Sequence, residues 1–319
     1  MAKATLSDAR RRAIVREAII RAEHVAANDP RSYLEALRNH AFLHMPPPAT
    51  SGGARSLGLR ARRSEGARLA DDPRYLENVR ELARRTRRNA RIIGGSAVNG
   101  KEFADCVAVG DDRDWGCTGT LIAADAVLTA GHCKQLHSRI FIGNDVDGPG
   151  RVVRVERHVR HPDWNGALGN DVMILILAKP VKGVKPRARA SASQINAAID
   201  GRVVGFGTTD LAGTTGYGLK QQTDVPIVSH ACSGKVKGQK DSAVYGCHVG
   251  KEIVAGKPLL NHDTCRGDSG GPLYIAVGGN WFLAGVTSRG TDLATSMCGD
   301  GGLYVRVDKY RAWIDSVLA

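Results

Sequence analysis

The chain has 319 residues, 42% hydrophobic and 24% charged, with 45 Lys and Arg against 32 Asp and Glu. That length supports one large folded domain or two smaller ones. No run approaches the roughly 18 apolar residues a membrane helix needs, which excludes a helical span.

The excess charge is uneven. Residues 1–91 hold 20 Lys and Arg against 10 Asp and Glu, whereas residues 92–319 hold 25 against 22. The basic balance therefore describes a segment rather than the whole chain. No nucleic-acid-binding module is recognisable there, so the segment reads as a solvated charged face and no nucleic-acid partner is expected.

In chain order, the first 91 residues read as a basic, mainly helical region. Ile14, Val15, Ala18, Ile19, Ala22 and Val25 recur at helical spacing. "SYLE" at 32–35 has the form of a capping box, and Pro46, Pro47 and Pro48 end the helix that follows. Residues 49–70, rich in Gly, Ala, Ser and Arg, read as a linker. Asp72-Pro73 resembles an N-cap with proline at the first helical position, before an apolar stripe of Tyr75, Leu76, Val79 and Leu82. "RRTRRNAR" at 84–91 closes the region and invites cleavage by proteases that recognise basic residues.

After residue 91 the texture changes. "GTLIAADAVLTA", "RVVRVERHV", "DVMILILA" and "RVVGFG" alternate with Gly, Asp and Asn turns, which predicts an antiparallel barrel or sandwich. "KYRAWIDSVLA" reads as a closing amphipathic helix with Tyr310, Trp313, Ile314, Val317 and Leu318 inward. All seven cysteines lie in this part, and none has the C-x-x-C spacing of a zinc site. Scattered cysteines in a Gly-rich β sequence point to disulfides and an oxidising compartment, with one thiol left over. Against export, the stretch "MAKATLSDARRRAIVREAII" lacks an apolar signal core. An extracellular or periplasmic location is expected, with a cytoplasmic one as the alternative.

Acyl transfer by serine needs a nucleophile, a base, a carboxylate to orient that base, and donors for the oxyanion. "LTAGHC" at 128–133 offers His132, "GNDVMILIL" at 169–177 offers Asp171, and "GDSGGP" at 267–272 offers Ser269. Together with "RIIGG" at 91–95, these boxes stand in the order and at the spacing of the trypsin/chymotrypsin family of serine endopeptidases, which the chain from about 92 to 319 resembles.

The resemblance implies two packed six-stranded antiparallel β-barrels with a C-terminal helix, over residues 92–319, preceded by a pro-region over 1–91. It implies Ser269 as nucleophile, His132 as general base and Asp171 as its orienting carboxylate, with the amides of Gly267 and Ser269 as oxyanion hole. Cleavage between Arg91 and Ile92 would free an amine to pair with Asp268. Asp263 would floor the primary specificity pocket, walled by Ser288, Gly290 and Gly302, and would select Arg or Lys. Arg289 stands where the family carries an aromatic residue. It is expected to repel basic residues farther along the substrate; Arg266, before the oxyanion glycine, adds positive charge, and Asp292 and Asp300 are expected to offset part of it. The implied disulfides are Cys117–Cys133, Cys232–Cys247 and Cys265–Cys298, with Cys106 a buried free thiol.

No cofactor or resident metal is expected. Asp145 and Asp147 in "GNDVDGPG" lie where trypsin's calcium loop would fall, but without its acidic pattern, so a turn is the better reading. Expected partners are protein or peptide substrates bearing Arg or Lys and protein inhibitors of proteases, with the chain itself a monomer. Two alternatives stay open: a non-catalytic binding module on the same fold, and an N-terminal region that targets or binds rather than inhibits.

Overall fold

A computed structural model of the chain describes residues 95–135, 137–164, 169–209, 216–256, 263–294 and 298–319. The helices and linker expected in residues 1–91, and both Arg91 and Ile92, lie outside the described residues.

A two-residue strand, β1 (Ser96–Ala97), is followed by six strands: β2 (Cys106–Gly110), β3 (Cys117–Ala123), β4 (Ala126–Thr129), β5 (Arg139–Gly143), β6 (Gly150–Arg160) and β7 (Met173–Leu177). They pair antiparallel in the order β2-β3-β4-β7-β6-β5 and close into a barrel. The burial of each strand follows its sequence. The apolar runs of β4 (AVLT) and β7 (MILIL) are buried almost throughout, whereas the Arg-rich β6 lies largely exposed on the outer wall.

A linker and α1 (Ala192–Ala197) lead to the second half. Ser191 caps α1 in a full capping box with Gln194. Then come β8 (Asp200–Gly205), β9 (Gln221–Ser229), the short hairpin β10 (Lys235–Val236) and β11 (Gln239–Lys240), α2 (Asp241–Tyr245), β12 (Glu252–Ala255), β13 (Pro272–Val277), β14 (Asn280–Gly290), β15 (Gly302–Arg306) and α3 (Arg311–Leu318). Six of these strands pair in the order β8-β9-β12-β15-β14-β13, and β13 pairs with β8 to close a second barrel. β1 adds to the outer edge of β9. Gly278 and Gly279 join β13 to β14 with φ of +57° and +77°, the two-residue turn in which both positions favour glycine.

One apolar cluster spans both barrels, from Val107, Leu128 and Leu175 in the first to Phe206, Tyr274 and Val305 in the second. Phe103 stacks on Tyr274 at 4.9 Å. At this seam Arg187, from the linker, donates two hydrogen bonds to the buried Asp105, which also accepts the Tyr274 hydroxyl at 2.6 Å. The C-terminal helix buries Ile314 and packs Trp313, Val317 and Leu318 against the same cluster. Tyr310, expected inside that helix, sits instead in the 3-10 turn before it. Cys106 is a buried free thiol, and its burial raises its pKa.

Candidate active site

His132 sits in a 3-10 turn (Gly131–Gln135) directly after β4, and Asp171 lies two residues before β7. β4 and β7 are hydrogen-bonded neighbours, so the barrel register brings the two together: Thr129 pairs with Met173. The Asp171 carboxylate grips His132 twice. It accepts the His132 backbone amide at 2.9 Å through Oδ1 and lies 2.8 Å from the ring Nδ1 through Oδ2. Ser288 on β14 donates a third hydrogen bond to Oδ2, at 2.6 Å.

These contacts shift both groups. Burial alone would raise the Asp171 pKa. The His132 charge, the ring and backbone bonds from His132 and the Ser288 hydroxyl outweigh that and hold it below the usual carboxylate value. For His132, burial and the nearby Arg289 cation lower the pKa, but Asp171 prevails and raises it. The pair thus fixes the imidazole with Nδ1 committed to the carboxylate and Nε2 left as the free base.

Ser269 follows the third segment, the loop into β13. That loop is sewn to the first barrel. Thr118 on β3 receives the chain on both sides: its amide donates to the Ser269 carbonyl at 2.8 Å and its hydroxyl to the Gly267 carbonyl at 2.8 Å. The Cys133 sulphur lies 3.6 Å from the Ser269 carbonyl oxygen, one residue from His132. Ser269 is therefore brought to the His132 loop, although its hydroxyl makes no hydrogen bond among the described residues. Catalytic hydrogen bonds are often formed only in the substrate complex.

The amides of Asp268, Gly270 and Gly271 donate to the carbonyls of Cys265, Thr287 and Asp268. Those of Gly267 and Ser269 donate to no group among the described residues, leaving two N–H groups beside the serine. Gly267 has φ +93°, and a Cβ there would stand 2.9 Å from the Gly207 Cα, so both the turn and the packing require glycine.

Asp268 points the other way, into the core. It accepts the Gly207 amide through Oδ1 and the Cys265 amide through Oδ2, both at 2.8 Å. Those two bonds do not offset the burial, and its pKa is pushed up to about 7, with Asp263 adding a repulsive charge. Asp263 is also buried. Its carboxylate accepts the Thr264 amide at 2.7 Å and the Tyr304 hydroxyl at 2.8 Å, and burial raises its pKa to about 6.

Gly290 and Gly302 face each other across β14 and β15. A Cβ on Gly290 would come no nearer than 3.9 Å to its nearest neighbour, so the space before it is open. Arg289 does not stand as an uncompensated charge. Its guanidinium forms a two-pronged pair with the buried Glu252 at 2.7 and 2.9 Å and donates to the Gly246 carbonyl at 2.9 Å. Its ion-pair partner is Glu252.

Three disulfides frame the site: Cys117–Cys133 beneath His132, Cys232–Cys247, and Cys265–Cys298. The Cys117 and Cys133 sulphurs and a His132 ring nitrogen lie within 4.8 Å of one another, but sulphurs joined in a disulfide offer no thiolate to a metal. In the 143–150 segment, Asp145 Oδ1 accepts the Asp147 amide at 3.0 Å, closing a turn on itself.

Sequence reasoning missed Thr118, Tyr304, Glu252 and Lys251, and it named Tyr310 only as an inward helix residue. Each acts from a segment distant in the chain with no local motif to mark its contact. Asn170, adjacent to Asp171, was the one neighbour that position alone could have flagged.

Comparison with known proteins places the chain in a family. The family model described as Trypsin matches residues 92–314. Chymotrypsin-like elastase family member 1 of Bos taurus is 30% identical over 72% of this chain and 91% of its own length. Trypsin-4 of Rattus norvegicus is 28% identical over 72% of this chain and 90% of its own. Among solved structures, mouse neuropsin, a serine protease expressed in the limbic system of the brain, superposes with a TM-score of 0.60 at 25% identity, covering 70% of this chain and 99% of that one. With this fold, these disulfides and this match over more than two thirds of its length, the chain belongs to the trypsin family of serine endopeptidases.

Proposed function

We propose that the chain hydrolyses peptide bonds after Arg and Lys through Ser269, His132 and Asp171, and that cleavage after Arg91 activates it. Ser269 Oγ attacks the scissile carbonyl while His132 Nε2 takes its proton and returns it to the leaving amine. Asp171 holds the imidazole tautomer and stabilises its charged form. The amides of Gly267 and Ser269 receive the oxyanion, each donor being worth on the order of a hundredfold or more in rate. The single observation that carries this reading is the doubly hydrogen-bonded His132–Asp171 pair beside a serine loop with two unspent amides.

Specificity rests on Asp263. The relatives include both elastases and a trypsin, so kinship alone does not set it. A buried carboxylate with a pKa near 6 is anionic at neutral pH and gains most from a cation, which a Lys or Arg side chain supplies. Arg289, neutralised by Glu252, leaves that demand unmet and presents a polar wall beyond the primary pocket. Activation rests on Asp268. Burial raises its pKa to about 7 despite two amide donors, so a new amine at Ile92 would find a carboxylate still lacking a counter-charge. The disulfides and the family favour an extracellular or other oxidising compartment. No helix among the described residues is long and apolar enough to cross a membrane.

The test combines N-terminal sequencing of active protein with Arg, Lys and Phe reporter peptides. Active chains should begin at Ile92 and cleave after Arg and Lys. Asp263→Ser should abolish that preference while a serine-reactive titrant still labels the protein, and Ser269→Ala should abolish labelling. A mature terminus elsewhere, or unaltered preference in the Asp263 variant, refutes the respective part.

A further inference from the structure

Beyond His132 and Ser288, two further chains of contact reach Asp171, and both start from one dipeptide, Lys251–Glu252, where β12 begins. On one side Lys251 Nζ donates to Asn170 Oδ1 at 3.0 Å, and the Tyr310 hydroxyl donates to the same oxygen at 2.9 Å. Asn170 Nδ2 in turn donates to the Asp163 carbonyl at 3.3 Å. Asn170 has φ +53°, in the left-handed region that asparagine adopts more readily than other residues bearing a side chain. Its carbonyl accepts the Val172 amide at 2.8 Å, so Asp171 lies inside the turn that this clamp holds.

On the other side, Glu252 fixes Arg289, whose Nη1 lies 3.4 Å from the Ser288 hydroxyl that donates to Asp171. The dipeptide itself is anchored. The amides of Lys251 and Glu252 both donate to the His248 carbonyl, the Arg306 amide donates to the Lys251 carbonyl at 2.9 Å, and Glu252 Oε2 accepts the His248 amide at 2.8 Å. His248 follows Cys247, which is tied to Cys232.

We propose that Lys251–Glu252 is a two-pronged positioning element that sets Asp171 from the second barrel. Lys251 fixes its backbone through Asn170, and Glu252 fixes its hydroxyl donor through Arg289. The proposal rests on the assignment of Asp171 to the triad. Its physical content is that Asp171 and His132 belong to the first barrel whereas the serine loop belongs to the second. A brace that crosses the seam keeps the carboxylate in register with the nucleophile. The other charges acting on the pair are the guanidiniums of Arg160, toward Asp171, and Arg289, toward His132.

The test uses full-length protein, processed until its activity is constant, in four forms: wild type, Lys251→Met, Lys251→Arg and Glu252→Gln. Lys251 is exposed, so its variants keep the fold. A fluorophosphonate counts the reactive serines, and an Arg reporter peptide gives kcat, KM and the pH profile per labelled site. Lys251→Met should lower kcat per site by about tenfold to a hundredfold, the cost of a misplaced catalytic group, with KM within about twofold. The acidic limb of kcat/KM should move to lower pH, because a displaced Asp171 raises the His132 pKa less. Lys251→Arg should restore most of the rate. Glu252→Gln should lower kcat and move the limb in the same direction, since it also leaves Arg289 uncompensated beside His132. If Lys251→Met and Glu252→Gln only reduce the labelled fraction, or leave both kcat per site and the limb unmoved, the brace is overturned. Absence of labelling in the wild type would instead remove the triad assignment, and the brace with it.

Discussion

Asp171 and Asp263 are both buried carboxylates, and their neighbours send them in opposite directions. Asp171 faces three donors, two from His132 and one from Ser288, and stays ionised; Asp263 faces dipoles and a phenol and rises to about 6. Ser288→Ala removes one charge-assisted donor from Asp171, a bond of the class worth roughly 1.5–3 kcal/mol. The kcat for an Arg peptide should fall by about tenfold or more with little change in KM; an unchanged kcat would show that Ser288 contributes nothing to the carboxylate. Asp263 makes a different prediction. As pH falls through about 6 the free carboxyl protonates, so KM for Arg peptides should climb steeply there. In Asp263→Ser that climb should vanish. At this scale His132, Asp171 and Ser269 were legible because each sits in a compact local motif. The supports of the site were not: Tyr304 reaches the pocket residue Asp263 across 41 residues, Lys251 reaches Asn170 across 81, and Thr118 reaches Gly267 across 149. No local pattern encodes such a contact.

Elements tell a similar story with different limits. The apolar run of β7 and the stripe of α3 announced themselves, since burial and periodicity are written into a few consecutive residues. The two-residue strands β1, β10 and β11 carry no such signal and exist through pairing alone. The seam between barrels was equally silent. There Arg187, reaching from the linker, neutralises Asp105, which is buried and also holds the Tyr274 hydroxyl. Removing one partner of a buried pair strands the other. Arg187→Met should therefore cost about 3–5 kcal/mol of stability. Urea unfolding should show the midpoint falling with a single transition retained. Replacing Asp105 with Asn as well should recover part of the loss, because no charge is then left unpaired. A single variant as stable as the wild type would show that water reaches Asp105 and that the seam is held by apolar contact alone.

For the whole molecule, the uncut chain should carry a pH-dependent cost that the proposed cleavage after Arg91 should remove. Asp268 has a folded pKa near 7 against an ordinary value of 3.8. A carboxyl that binds its proton more tightly in the fold than in the unfolded chain stabilises the fold fully below that lower value. The stability is then lost as pH rises through the folded pKa, and for a rise of this size the loss is on the order of 4 kcal/mol. Asp263 adds a smaller loss of the same sign between about 4 and 6. Under the proposed activation, cleavage before Ile92 would supply an amine, and once it paired with Asp268 the carboxylate would no longer prefer its proton. The two forms should then have similar stability near pH 4, with the processed form the more stable near pH 7. The comparison is clean in Ser269→Ala, which cannot cut itself, unfolded by urea before and after an added protease cleaves at Arg91. Asp268→Asn in the uncut chain should flatten the fall between these pH values, since an amide has no charge to bury. If cut and uncut chains lose stability alike between pH 4 and 7, the amine has not reached Asp268. Cleavage would then act on the serine loop by some route other than a buried ion pair.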